Sequence, residues 1–341
     1  MSTRPGRRVT THDVAALAGV SQPTVSLVLS GNPRARVAPD TRERVLEAAS
    51  ELGYRPNLLA RGLVQQRSFA LGVIVPNLDN PFFTEVVSGA ERVAAQEGYA
   101  VLLCDARETP ADRHLEALQA RMVDGVILDA SAAAAVSEEA LARLNVVLVD
   151  EPPGRWPGVA SDALAAGRLA AEHLLALGHR ELALIGPAAD SYTFRMRERG
   201  FIQALRDAGI PLSSTRMRRG PASVAGGLEQ MRELLTGDRL PTGVFCTNDL
   251  IALGALKACL MAGIEVPRQV SLVGCDDIEM ARVVTPELTT VMVPARGIGA
   301  RAVRLLLQQL DGGATRATST RPLPVQLVVR GTSGSPEALR R

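Results

Sequence analysis

The sequence predicts a small all-α helix-turn-helix head followed by a larger α/β body, and three observations carry that prediction. Two short helical stretches joined by a glycine-containing turn open the chain. After Arg67, runs of branched apolar residues alternate with helical stretches, the signature of parallel β-α units. Charge is also divided unevenly: residues 1–67 hold ten arginines and five acidic residues, whereas the rest holds 28 basic and 31 acidic side chains. A basic head before a mildly acidic body is either a solvated surface or the electrostatic footprint for a polyanion. With 341 residues, 46% of them apolar, the chain suffices for two or three packed units. No run reaches the roughly 18 to 20 apolar residues of a membrane helix, and no apolar stretch follows the basic start Met1 to Arg8, so a cytoplasmic protein is expected. Cys104, Cys246, Cys259 and Cys275 lack a metal-ligand spacing and read as reduced core residues.

Thr10 followed by Asp13 can cap a first helix through Ala18, with Val14, Leu17 and Ala18 inward and Gly19 making the turn. Ser21 caps a second helix, in whose first turn Pro23 is tolerated, and Val25, Val28 and Leu29 form its inward stripe. In such a pair the second helix enters the DNA major groove. Val45, Leu46, Ala49 and Leu52 give a third helix an apolar face that ends at Gly53. Tyr54 to Asn57 read as a break, and Leu58 to Leu63 as one and a half turns, too short to be stable alone.

Strands are expected at Leu71–Val75, Ala100–Cys104, Gly125–Leu128, Val146–Val149, Leu182–Ile185, Val244–Cys246 and Val270–Val273. Helices are expected at Phe82–Glu97, Leu164–Leu177 and Leu250–Ala262. The polar tail 333–341 is expected to be disordered.

The string Val9-Thr10-Thr11-His12-Asp13-Val14-Ala15-Ala16-Leu17-Ala18-Gly19-Val20-Ser21-Gln22-Pro23-Thr24-Val25-Ser26, with Leu52-Gly53-Tyr54-Arg55-Pro56-Asn57, resembles the start of LacI/GalR-family transcriptional regulators. Further motifs follow in the family's order over about residues 9–332, among them Asn80-Pro81-Phe82-Phe83, Leu177-Gly178-His179-Arg180, Asn248-Asp249 and Asp276-Asp277. The resemblance implies a helix-turn-helix domain over 1–55, a hinge helix over 56–67 and an effector-binding and dimerisation body over 68–332. That body would resemble a periplasmic binding protein, with one subdomain of about 68–166 and 295–323 and another of about 167–294 and 324–332. A homodimer is implied, and the short tail has no leucine repeat to extend it to a tetramer.

The implied partner is a pseudo-palindromic double-stranded operator, bound by a regulator that is most simply a repressor. Thr10, Thr11 and Ser21, at helix starts, would face phosphate, while Gln22, Pro23, Thr24, Ser26 and Leu27 lie on the reading helix. Gln22 can both donate to and accept from adenine, and Leu27 replaces an arginine common in the family with a group suited to a thymine methyl. Arg36 is expected on phosphate; Asn57, Ala60, Arg61 and Leu63 belong to the hinge, where Leu63 would wedge into the central base step and kink the duplex. For the cleft the resemblance implies Asn80, Phe82, Phe83, Asp150, Arg197, Asn248 and Asp276. An arginine fork and a carboxylate can together hold a polyol; the resemblance implies a sugar or sugar derivative as the effector, with a nucleobase, another small metabolite or no ligand as the alternatives. No aromatic stands at Pro221-Ala222-Ser223 and Val293 replaces a common glutamine, which makes stacking on a sugar thin there.

An enzyme is the main rival reading, since parallel α/β bodies host many reactions. Gly297-Ile298-Gly299 lacks the third glycine and the preceding strand of a dinucleotide loop, Lys257 is the sole lysine, and His173 and His179 are six apart rather than four. No cofactor, metal or catalytic residue is expected. A transport-type binding protein would share the body but lack the basic head.

Overall fold

The computed structural model describes residues 9–29, 37–54, 67–237, 239–312 and 321–336, in two units, Met1–Ser68 and Phe69–Arg341. In the first unit, Thr10 and Asp13 form the expected capping box on helix α1 (Thr11–Ala18), and Gly19 ends it at φ 64°. Ser21 Oγ accepts from Thr24 N at the start of α2 (Gln22–Leu29), and α3 is Pro39–Glu51. The three helices share a core of Val14, Ala15, Ala18, Val25, Val28, Val45, Ala48 and Ala49. Leu17 and Leu46, expected inward, are about half exposed. At 100° per residue the stripes centre on Val14 with Ala18 and on Val45 with Ala49, which leaves both leucines outside, and alanines occupy the close crossing instead.

The second unit holds two sheets. Parallel strands β1 (Ala70–Val75), β2 (Ala100–Asp105), β3 (Gly125–Asp129), β4 (Val146–Val149) and β5 (Gly158–Val159) lie in the order 2-1-3-4-5. The other sheet runs 11-10-9-8-6-7 through β6 (Leu182–Pro187), β7 (Met217–Gly220), β8 (Gly243–Cys246), β9 (Ser271–Asp276), β10 (Thr289–Met292) and β11 (Gln326–Val328), with only β11 antiparallel to its neighbour. All seven expected strands form, and the body is the α/β architecture the sequence predicts. Strands β5, β7, β10 and β11 are not among those expected; β7, for one, contains Arg218 and Arg219 at a sheet edge.

The helices are α4 (Pro81–Gln96), α5 (Ala111–Ala120), α6 (Ala130–Ala133), α7 (Glu138–Ala142), α8 (Ala163–Ala176), α9 (Tyr192–Asp207), α10 (Val224–Leu235), α11 (Asp249–Met261), α12 (Met280–Val283) and α13 (Ala295–Leu310). The chain crosses between layers more than once: α13 returns to pack on α4 and the first sheet, while α8 packs on α9 and the second. The crossing thus precedes Ala163, a little earlier than the boundary expected at 166–167, and Ser161 there bridges Leu323 on the returning segment.

Three helix pairs meet through reciprocal glycines. A Cβ on Gly89 or Gly299 (α4 and α13), Gly167 or Gly200 (α8 and α9), or Gly227 or Gly254 (α10 and α11) would stand 1.8 to 2.1 Å from a backbone oxygen of the facing helix. Only a residue without Cβ permits that approach. The start of the tail differs from expectation. Ser333 Oγ lies 2.8 Å from His173 Nε2, and Gly334 O accepts from His179 Nε2 and Ser271 Oγ, so these residues are pinned to the body; 337–341 lie outside the described residues.

Candidate ligand cleft and nucleic-acid interface

In a parallel sheet, the loops beyond the strand carboxyl ends are where ligands bind. Here the loops after β1, β3, β4, β6, β7, β8 and β9 line a cavity of about 190 Å³ between the two layers. Asn80, Phe82, Phe83, Asp150, Arg197, Asn248 and Asp276, all seven residues expected in the cleft, line it.

Each side chain is placed by its element. Asn80 caps α4 by accepting from Phe82 N, and Asn248 caps α11 by accepting from Ile251 N. Their amide oxygens are therefore occupied by the backbone, and the amide nitrogens are the groups left for the cavity. Asp276 ends β9, Asp150 follows β4, and both stand at positive φ, 125° and 60°, which for non-glycine residues stores backbone strain. Arg197, on the second turn of α9, is 2% exposed. Its Nη1 donates to Thr247 O at 2.6 Å and its Nη2 lies 2.8 Å from Asp276 Oδ1, while the guanidinium sits 5.7 Å from the Phe194 ring centre. Arg197 Nε and Asp150 Oδ1 are buried without a hydrogen-bond partner, and the Asp276 Oδ1 contact is a charge pairing without good hydrogen-bond alignment. Buried polar atoms left unmatched are costly unless something supplies their partners.

Burial is the main influence on the carboxylates. It lifts Asp276 to about 7 even though the Arg197 guanidinium pulls the other way, and it raises Asp150 against the same pull. Burial pulls Arg197 down most strongly of any single influence, but Asp276, Cys275 and Asp150 together outweigh it and leave the guanidinium raised.

The sequence reading missed several lining residues. Asp129, 2% exposed, ends β3 and caps α6, accepting from Ser131 N at 2.9 Å and from Ser131 Oγ. Burial, then the nearby Asp150, push it to about 7. An acid closing an apolar strand run was a signal available in the sequence, the same one that marks Asp276. Phe194 also lines the cavity, so together with Phe82 and Phe83, whose rings lie 5.3 Å apart, it provides the aromatic wall expected to be thin; Ala222 lines the cavity without a ring, and Val293 is core. Arg197 does not pair with Glu198, which binds Arg219 instead. A wider open groove of about 830 Å³ runs along α9, but its Arg195 and Arg219 are already paired with Asp190 and Glu198.

On the head, Gln22, Pro23, Ser26 and Leu27 are exposed along α2, Thr24 is half-buried, and Ser21 and Thr10 are exposed at helix starts. Gln22 Nε2 donates to Thr11 Oγ1 at 2.8 Å, which steadies the amide across the turn between the helices. Arg36, Asn57, Ala60, Arg61 and Leu63, with the hinge expected at 56–67 apart from Arg67, lie outside the described residues. Among the described residues no three His, Cys, Asp or Glu side chains group to hold a metal, and no helix is long and apolar enough to cross a membrane.

A helix-turn-helix head and a two-sheet body of periplasmic-binding-protein type define a DNA-binding transcriptional regulator. Residues 10–57 match the model of bacterial regulatory proteins of the lacI family, and 171–333 match a periplasmic binding protein-like domain. The chain is 34% identical to the HTH-type transcriptional repressor PurR of Haemophilus influenzae over 88% of its own length and 91% of that protein's. It superposes on the lac repressor dimer bound to operator and an anti-inducer with a TM-score of 0.80, at 33% identity, covering 96% of this chain and all of that one. A LacI family regulator from Enterococcus faecium with bound ribose superposes at 0.70, with 30% identity over 78% of this chain and 99% of the other. The chain belongs to the lacI family: it is a DNA-binding transcriptional repressor and not an enzyme.

Proposed function

We propose that this repressor is a cytoplasmic homodimer that binds a pseudo-palindromic operator, and that its affinity is set by a small molecule, a sugar or sugar derivative, held in the cleft. The observation that carries the proposal is the buried Arg197–Asp276 pair in the cleft cavity, with Arg197 Nε and Asp150 Oδ1 still unmatched. A polyol offers hydroxyls that both donate and accept, and so can match them. The bound ribose of the Enterococcus relative and the operator-bound dimer of the lac repressor support the two halves of this reading.

In the head, Thr10, Thr11, Ser21, Thr24 and Arg36 would fix the register on phosphates, and Gln22, Pro23, Ser26 and Leu27 would face base edges. Asn57, Ala60, Arg61 and Leu63 would form the minor-groove hinge. Among the apolar side chains exposed on the body, Leu260 at 77% and Val283 at 72% exposure suit the second copy. Because the cleft is lined from both sheets, a ligand there favours one arrangement of the layers, and any effect on DNA must be reciprocal.

Selection of genomic fragments by the purified protein, with affinities checked at two salt concentrations, tests the DNA half. One enriched pseudo-palindrome is expected; binding without sequence preference and steeply salt-dependent overturns it. Ligand titration with and without that operator tests the other half, and identical affinities exclude the ligand tried as effector.

A further inference from the structure

The cleft has a charge balance that a neutral polyol leaves unresolved. Three carboxylates, Asp129, Asp150 and Asp276, line a cavity whose one cationic lining residue among the described residues is Arg197. Arg197 is committed to the second-sheet side, where it holds Asp276 and the Thr247 carbonyl. On the first-sheet side, Asp129 receives only Ser131 and the turn that it caps, and Asp150 Oδ1 is buried with no hydrogen-bond partner. These two carboxylates follow adjacent strands, β3 and β4, so they enter the cavity side by side. The opposing walls carry Phe82, Phe83 and Phe194, whose ring faces suit a cation as well as a sugar. The space, about 190 Å³, equals roughly six water molecules, room for a single small ring or a short chain. An anionic ligand would add like charge to three acids, and a neutral one would bring no cation to the Asp129–Asp150 side, where Arg197, already held by Asp276, is the counter-charge that Asp150 feels.

We propose that the molecule held here carries a protonated amine seated between Asp129 and Asp150, with its hydroxyl groups turned to Arg197 and Asp276. The effector class is therefore an amino sugar or amino polyol. This rests on the reading of the cleft as the effector site and deepens it. Asp129 is then the residue that sets specificity, since it contributes charge beyond the arginine-carboxylate pair.

The test uses the full chain and a panel of matched compounds: glucose, galactose and mannose, their 2-amino and 2-acetamido forms, their 6-phosphates, straight-chain amino polyols, and adenine, guanine and hypoxanthine. Binding is followed by calorimetry at pH 7.5 and by release of operator. The expected result is that one amine binds at least tenfold more tightly than its own hydroxyl and acetamido counterparts and that all phosphates fail. Asp129→Asn keeps an oxygen for the α6 cap; it is expected to melt no lower than the parent at pH 7.5 and to lose the tenfold preference. A neutral sugar, a base or a phosphate as the tightest ligand overturns the amine while leaving the effector site standing. An amine preference unchanged in Asp129→Asn removes Asp129 from the assignment. If no compound binds while operator binding is intact, the amine and the small-molecule half of the proposed function both fall.

Discussion

Replacing Gly167 by alanine tests whether the cleft depends on a helix crossing outside it. The new Cβ would stand 1.8 Å from Arg197 O and 2.8 Å from Phe201 N, where ordinary contact begins near 3.4 Å, so α8 and α9 must part by about 1.6 Å. Backbone atoms cannot rotate aside, which places the cost near the top of the ~1–3 kcal/mol range for overpacking. Alanine returns about 0.5–1 kcal/mol of helix propensity, leaving a net loss of about 2 kcal/mol. At about 2–4 °C per kcal/mol for a unit of this size, the melting temperature should fall by about 4–8 °C. The second consequence is functional. The displaced carbonyl belongs to Arg197, whose guanidinium reaches Thr247 O at 2.6 Å and Asp276 at 2.8 Å, distances that a 1.6 Å shift takes beyond hydrogen-bonding range. Losing one hydrogen bond to a charged group costs about 1.5–3 kcal/mol, so ligand affinity should drop roughly tenfold to a hundredfold. Thermal unfolding and ligand titration, with Gly237→Ala as a control whose Cβ meets only a 3.5 Å contact, measure both. A variant within 1 °C of the parent and with unchanged ligand affinity would refute the reasoning.

Other perturbations separate the contributions. Arg197→Met leaves Asp276 buried without its cation and should cost about 3–5 kcal/mol in urea unfolding, much of it regained in Arg197→Met/Asp276→Leu, which retains no ligand binding. Asp129 and Asp276 have folded pKa values of about 7, raised from 3.8, so between pH 4 and 7 the folded state holds the extra protons. Stability should fall as pH rises through that window and level off above it, and melting curves from pH 5 to 8.5 read the slope, which Asp129→Asn should reduce. Gln22→Ala should relax preference at one base pair by about 1–3 kcal/mol with little change in salt dependence, as competition among operator variants would reveal; a uniform loss across sequences would mark Gln22 as a positioning residue instead.

Much of this protein is legible in its sequence because the signals are local. The Thr10–Asp13 capping box, Gly19 in the left-handed turn and the branched runs of the seven expected strands are set by neighbours a few residues apart. The motifs at 80–83, 197, 248 and 276 likewise named residues that line one cavity. What the sequence left open depends on partners far along the chain. Leu17 and Leu46 point outward because of how three helices cross, and β10 and β11 exist because β10 pairs with β9 and carries β11 at the sheet edge. The tail beyond β11 is ordered at Ser333 and Gly334 only because His173 and His179 wait for it about 155 residues away. Asp129 is the sharpest case: by itself it is a polar residue at the end of an apolar run, and only folding buries it in the cleft beside Asp150, where burial turns an ordinary carboxylate into one raised to about 7. Local chemistry fixes which elements form, whereas desolvation and long-range pairing, which exist only once the layers close, decide what the cleft can bind.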